Sequence, residues 1–216
     1  MTSAELKERI AAFPILPVMP VRSIDEGLAD IDRLVEQGAP VIEILFRTPQ
    51  APEVLRRARM RHPACIFGAG TLLHEGHVKL AVEAGAAFTV SPGLTPALHE
   101  AVTAAGLLHM PGALTASEVM QAREWGYTLL KYYPSEASNG PTVLADYANI
   151  FEDVGFVTTG GIEAGKLAAY GAVRNIVAVG GGWMIPSRRL AGGPNLTEQA
   201  AIFKAARALA LGNAAS

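Results

Sequence analysis

The sequence predicts an α/β fold, a (β/α)8 barrel of the TIM type, formed as one domain over residues 1–216 with a short helix at its start. Three observations predict it. Short apolar runs rich in β-branched and aromatic residues occur eight times along the chain. Amphipathic helical stretches separate most of them. Glycines close many of those stretches, with a repeat of about 20 residues or about twice that, which is one strand plus one helix per unit.

The elements follow in order. Residues 1–14, MTSAELKERIAAFP, read as a short polar helix with none of the apolar centre of a signal peptide. The strands are FPILPVM, VIEIL, ACIFG, AAFTV, LLHM, YTLLKYY, GFVTT and NIVAVG. Between them lie helices such as IDEGLADIDRLVEQG and HEGHVKLAVEAG. Gly38, Gly85, Gly106, Gly126 and Gly171 are each expected to take the left-handed conformation that stops a helix. Ser23 with Glu26, and Thr115 with Glu118, have capping-box spacing, and Thr95-Pro96 fits an N-cap followed by proline. Glu118 is therefore read as a cap and not as a catalyst. An open doubly wound sheet is the alternative fold. It would place a Gly-rich dinucleotide fingerprint after the first strand, where this chain has PVMPVRS.

Composition bounds the function. Half of the 216 residues are hydrophobic, 18% are charged, and the mean hydropathy is +0.26, enough for a sizeable core. A net charge of −2 and a pI near 6.2 leave no basic surplus for nucleic acid or an anionic membrane. Cys65 is the only cysteine, so no intrachain disulfide forms, and within ACIFGAG it reads as a small core residue. The apolar stretch FPILPVMPV is short and holds three prolines, so it does not span a bilayer. A soluble, cytoplasmic protein is expected.

In such a barrel the chemistry sits at the C-terminal ends of the strands. Strand two supplies Glu43 and Arg47, strand three Thr71, strand four SPGLT, strand five MPGALT and strand six Lys131. Strands seven and eight end in TTGGI and VGGGW. Alternation puts Val41, Glu43 and Leu45 on one face of VIEIL, and Leu129 with Lys131 on one face of TLLKY. If the opposite faces meet the helices, Glu43 and Lys131 both point into the barrel. Burial disfavours the charged form of an amine, and a neutral lysine is a nucleophile toward carbonyls. A structural lysine would need one carboxylate partner, which Glu43 also offers. The sequence alone does not separate these two uses. The late glycine loops suit an anion held by backbone N–H groups. His74 and His77 are three apart but have no third ligand at matching spacing, so no metal is expected; His62, His99 and His109 offer no constellation.

Together EILFRT, GAGT, SPGLT, PGALT with its following glutamate, LKYYPSE, TGGI and VGGGW resemble the class I 2-keto-3-deoxy-6-phosphogluconate (KDPG) aldolase family, which also cleaves 4-hydroxy-2-oxoglutarate. The resemblance runs from about residue 14 to residue 186, in the family's order. It implies the barrel, a homotrimer, small-molecule 2-keto acid substrates and no metal or organic cofactor. By resemblance Lys131 is the Schiff-base lysine and Glu43 the proton shuttle. Arg47 and Thr71 hold the substrate carboxylate, Pro92 lines the same pocket, and Tyr133 packs against the keto acid. Thr159, Gly160, Gly161, Gly181 and Gly182 form the phosphate end, with Arg22 a further source of charge there.

Three positions depart from the pattern. GGGW replaces the more usual GGS before tryptophan, so Gly182 lacks a phosphate-binding hydroxyl; Thr158 stands where proline is common; Tyr132 and Tyr133 replace phenylalanines. They touch substrate preference and leave the lysine and glutamate intact. Two rival functions keep the barrel: a sugar-phosphate isomerase or epimerase in which Lys131 only pairs with anions, and a non-catalytic ligand-binding barrel.

Overall fold

A computed structural model describes residues 1–188 and 195–213. After helix α1 (Ser3–Ala12), strands and helices alternate: β1 (Ile15–Pro20), α2 (Ile24–Glu36), β2 (Val41–Leu45), α3 (Ala51–Arg61), β3 (Ile66–Gly70), α4 (Glu75–Ala84), β4 (Phe88–Val90) and α5 (Pro96–Ala104). The second half continues with β5 (His109–Met110), α6 (Ala116–Glu124), β6 (Leu129–Tyr132), α7 (Gly140–Ile150), β7 (Gly155–Thr159), α8 (Leu167–Gly171), β8 (Ile176–Gly181) and α9 (Leu196–Asn213). The strands are parallel, in the order β5-β4-β3-β2-β1-β8-β7-β6, a nearly closed barrel.

The seam between β5 and β6 closes on the backbone of Lys131. Its N–H donates to the Pro111 carbonyl at 2.8 Å, and its carbonyl accepts from the Ala113 N–H at 2.9 Å. Gly112, between those partners, is a close-approach position: a Cβ there would lie 2.1 Å from the Pro92 carbonyl oxygen. The seam therefore fixes the loop after β4 as well as the end of β6.

Side chains divide as strand alternation requires. Leu16, Val41, Phe88, Val90, Met110, Leu129, Val157 and Ala178 form the inner cluster, joined by Leu6 and Ile10 of α1. Ile42, Ile44, Leu130, Tyr132 and Phe156 belong to the larger cluster shared with the helices. Gly68 makes room for the Phe88 ring, whose nearest atom would be 2.3 Å from an added Cβ. Since Val41 and Leu129 face inward, Glu43 and Lys131 do so too.

Gly38, Gly85, Gly106 and Gly126 have positive φ, as expected of helix stops. Gly171 does not; it lies within α8. Its role is packing: a Cβ at Gly171 would sit 2.5 Å from the Phe203 carbonyl of α9. Thr115 and Glu118 form a complete capping box, as do Thr2 and Glu5. At Ser23 only half of the expected box forms: its hydroxyl accepts from the Glu26 N–H, while the Glu26 carboxylate pairs with Arg22 at 3.7 Å. Cys65 is half-buried against the core, and burial pushes its thiol up to about 12, an unreactive state.

His109, which showed no constellation in sequence, anchors a buried polar cluster across β4 and β5. Its Nδ1 lies 2.8 Å from Thr89 Oγ1 and its Nε2 3.0 Å from Ser91 Oγ, and Ser91 donates to the Gly93 carbonyl at 2.5 Å. Burial, reinforced by the charge of nearby His99, holds the His109 imidazole at about 3. An unfolded histidine takes up a proton near pH 6.5, so between there and about 3 the unfolded chain binds one proton more than the native state. Stability should then fall as pH drops through this window, by up to about 1.4 kcal/mol per pH unit from this group. Thermal melts of His109→Gln should show a flatter acid limb than the parent between pH 6.5 and 4; parallel limbs would remove His109 from the account.

Candidate active site

Glu43, at the centre of β2, is fully buried, and Lys131, in β6, is 7% exposed. Lys131 Nζ donates to Glu43 Oε1 at 3.2 Å across the barrel interior. Gly70 at the end of β3 makes the space, since a Cβ there would lie 2.2 Å from that oxygen. Glu43 Oε2 is buried without a hydrogen-bond partner. An unmet buried acceptor costs about 1–3 kcal/mol.

Arg47, just beyond β2, donates from Nε to Thr71 Oγ1 at 3.0 Å. Thr71 has φ of 64°, a left-handed conformation that is costly for a β-branched residue and concentrates at functional sites. The strained backbone aims a hydroxyl at the guanidinium, leaving the rest of the guanidinium fork available.

A cavity of about 390 Å³ opens at the C-terminal ends of the strands. Of the expected site residues, Arg47, Lys131, Tyr133, Thr159, Gly160, Gly161, Gly181 and Gly182 line it. Glu43 is reached through Lys131 and Thr71 through Arg47. Pro92 is outside this lining and exposed, with its carbonyl toward Gly112. Arg22 is outside it as well and pairs with Glu26. The Tyr133 ring centroid is 5.8 Å from Lys131 Nζ, while Tyr132 turns outward into the helix-side core. His74 and His77 stack with ring centroids 4.0 Å apart, and no three His, Cys, Asp or Glu side chains gather as a metal site among the described residues.

The far end of the cavity is backbone. Gly160 and Gly161 have φ of 102° and 76°, conformations other residues rarely adopt. An added Cβ at Gly160 would lie 3.0 Å from the Tyr133 ring, so side-chain volume is excluded there as well. Thr159 Oγ1 is buried and unpartnered beside them. The Trp183 ring occupies the space beside Gly181, and its Nε1 donates to Gln199 Oε1 at 2.8 Å.

Sequence reading missed the support beneath these loops. The Ser135 and Glu136 N–H groups donate to the Thr159 and Gly160 carbonyls at 2.8 and 3.1 Å, tying the loop after β6 to the glycine loop after β7. The Glu136 carboxylate accepts from Lys166 and, at 2.7 Å, from the Tyr170 hydroxyl. Burial would raise that carboxyl, but these two donors outweigh it and hold Glu136 below the usual range. The signal available in sequence was the SE that ends LLKYYPSE.

The family described as KDPG and KHG aldolase matches residues 6–199. The KHG/KDPG aldolase of Escherichia coli strain K12 is 34% identical over 192 residues, 89% of either chain. The KDPG aldolase of Zymomonas mobilis ZM4, solved with 3-phosphoglycerate, is 32% identical with a TM-score of 0.80, covering 96% of this chain and 97% of that one. The KDPG aldolase of Legionella pneumophila, with pyruvate captured as a covalent carbinolamine, is 29% identical with a TM-score of 0.80, covering 94% and 96%. Extent and identity together decide the family: this chain belongs to the KDPG and KHG aldolases and is, as they are, a lyase.

Proposed function

We propose that this protein is a Schiff-base aldolase that cleaves 2-keto-3-deoxy-6-phosphogluconate to pyruvate and glyceraldehyde 3-phosphate, and 4-hydroxy-2-oxoglutarate to pyruvate and glyoxylate. The observation that carries the reading is the buried pair of Lys131 Nζ and Glu43 Oε1 at 3.2 Å, with the second carboxylate oxygen unpartnered. Lys131 passes a proton to Glu43 and attacks the C2 ketone as the free amine, and Glu43 returns that proton to the departing carbinolamine oxygen, which leaves as water and gives an iminium ion. Glu43 takes the C4 hydroxyl proton as the C3–C4 bond breaks. The bond's electron pair flows into the iminium as an enamine, and the aldehyde leaves. Glu43 returns the proton to C3, and water hydrolyses the imine to free pyruvate and the lysine. The carbinolamine trapped in the Legionella relative supports the covalent route.

Arg47 suits the substrate carboxylate because a planar fork binds both oxygens, and Thr71 fixes its orientation. Tyr133 covers the imine. Thr159 and the amides around Gly160, Gly161, Gly181 and Gly182 receive the phosphate, a reading supported by the open backbone at Gly160 and Gly161. The imine is the electron sink, so the reaction calls for neither metal nor organic cofactor. The functional unit is the barrel of residues 1–216, in a cytoplasmic homotrimer.

Borohydride reduction in the presence of pyruvate should add one covalent mass to the peptide holding Lys131, and Lys131→Ala should abolish it. Full labelling of the alanine variant would overturn the assignment, and an unlabelled parent would favour an isomerase or a binding barrel.

Gly182 sets a second expectation. Absence of a serine hydroxyl costs a dianion about 1.5–3 kcal/mol of binding, a tenfold to hundredfold effect. Gly182→Ser should lower KM for the phosphorylated substrate by about that factor and leave 4-hydroxy-2-oxoglutarate nearly untouched. Equal changes on both substrates would place the phosphate elsewhere.

A further inference from the structure

A second cavity, of about 460 Å³, lies on the opposite, N-terminal side of the barrel, between α1, the C-terminal end of α7, the middle of α9, and the strand starts at Gly155 and Val177. Its lining includes four cations, Lys7, Arg174, Lys204 and Arg207, against one carboxylate, Glu152. The protein as a whole carries a net charge of −2, so this concentration of positive charge runs against its composition. None of the four cations has an acidic partner among the described residues. Arg207 is half-buried and gives its donors to the carbonyls of Gly171, Val173, Arg174 and Ile176, which satisfy its hydrogen bonds and leave its charge unneutralised. Arg174 likewise donates to the Ala148 carbonyl and the Asn149 side chain, both uncharged.

A second, independent observation points to a ligand. Asn175 lines this cavity, and both polar atoms of its carboxamide are buried without a hydrogen-bond partner. Leaving such groups unpaired is unfavourable, and the chemistry proposed for the other end of the barrel makes no use of them. The cavity also depends on a glycine. A Cβ at Gly155 would lie 2.9 Å from Cε and 3.1 Å from Nζ of Lys7, so the bare backbone at the start of β7 lets the lysine side chain lie against the barrel wall.

We propose that this cavity is a binding site for a small oxyanion carrying two negative charges, of the phosphate and phosphate-monoester class, separate from the substrate pocket. Lys7 and Lys204 supply mobile ammonium donors and Arg174 and Arg207 the fixed charge. The Asn175 Nδ2 lies buried in the cavity wall, and a rotation of the side chain on entry of the anion presents it as a neutral donor. A ligand that binds only the native state stabilises the fold in proportion to its concentration, so the site couples the level of such an anion to the integrity of the barrel at the end remote from catalysis.

Inorganic phosphate is the probe, followed by amide and side-chain NMR of the whole protein. Saturable shifts are expected at the Asn175 carboxamide and the Val177 amide, distinct from any at Gly160 and Gly161. Lys204→Glu alters an exposed helix position, and combined with Lys7→Gln it should weaken the Asn175 response at least tenfold while leaving the Gly160 response in place. Lys204→Gln alone should weaken it less, in step with the charge removed. Phosphate shifts confined to Gly160 and Gly161, a linear response at Asn175, or an Asn175 response indifferent to these substitutions would each overturn the proposal.

Discussion

A carboxylate and an amine inside an otherwise apolar barrel are the constraint on which this structure turns. Removing two charges from water costs several kcal/mol apiece, and their attraction recovers that only with good geometry and full hydrogen bonding. Glu43 and Lys131 lack the second condition, because one carboxylate oxygen has no partner. The pair is therefore a poor investment for folding alone. Its surroundings are shaped to keep it: Gly70 leaves the volume Glu43 occupies, and the barrel seam closes on the peptide groups of Lys131 itself. The inner cluster beneath, from Leu16 to Ala178 and sealed by Leu6 and Ile10, supplies the stability that the pair does not.

Around this centre the cavity divides by chemistry. One side is built from charged and hydroxyl side chains, with Arg47 oriented by a Thr71 held in a left-handed conformation. The other side is largely backbone, where Gly160 and Gly161 line the cavity in conformations that side chains rarely adopt. The two sides are mechanically joined. Ser135 and Glu136 leave the lysine strand and bond directly to the carbonyls of Thr159 and Gly160, and Glu136 is braced in turn by Tyr170 and Lys166. The glycine loop is thus held in fixed register with the strand end that carries Lys131.

The fold was legible because its signals are local. Each strand is a short apolar run, helix ends carry their own caps and glycines, and alternation in VIEIL and TLLKY sufficed to turn Glu43 and Lys131 inward. What stayed hidden depends on partners far away in sequence. His109 acquires its role only when β4 brings Thr89 and Ser91 beside it. Gly171 looked like a helix stop, but its lack of a side chain serves the approach of α9. Trp183 was visible as a motif residue, whereas its bond to Gln199 was not. Pro92 belonged to a recognisable motif, yet it is exposed and not among the residues lining the cavity.

The dependence of the chemistry on the Glu43–Lys131 pair is open to one direct measurement. Gly70 has ordinary backbone geometry for any residue, so Gly70→Ala should fold, while its new methyl, 2.2 Å from Glu43 Oε1, drives the carboxylate off the amine. The rate of imine formation with pyruvate, read by borohydride quenching over time, should fall by at least about tenfold, as expected when a general acid–base group is displaced, with circular dichroism unchanged. An imine rate equal to the parent's in a folded Gly70→Ala protein, with the carboxylate displaced in its crystal structure, would contradict the account.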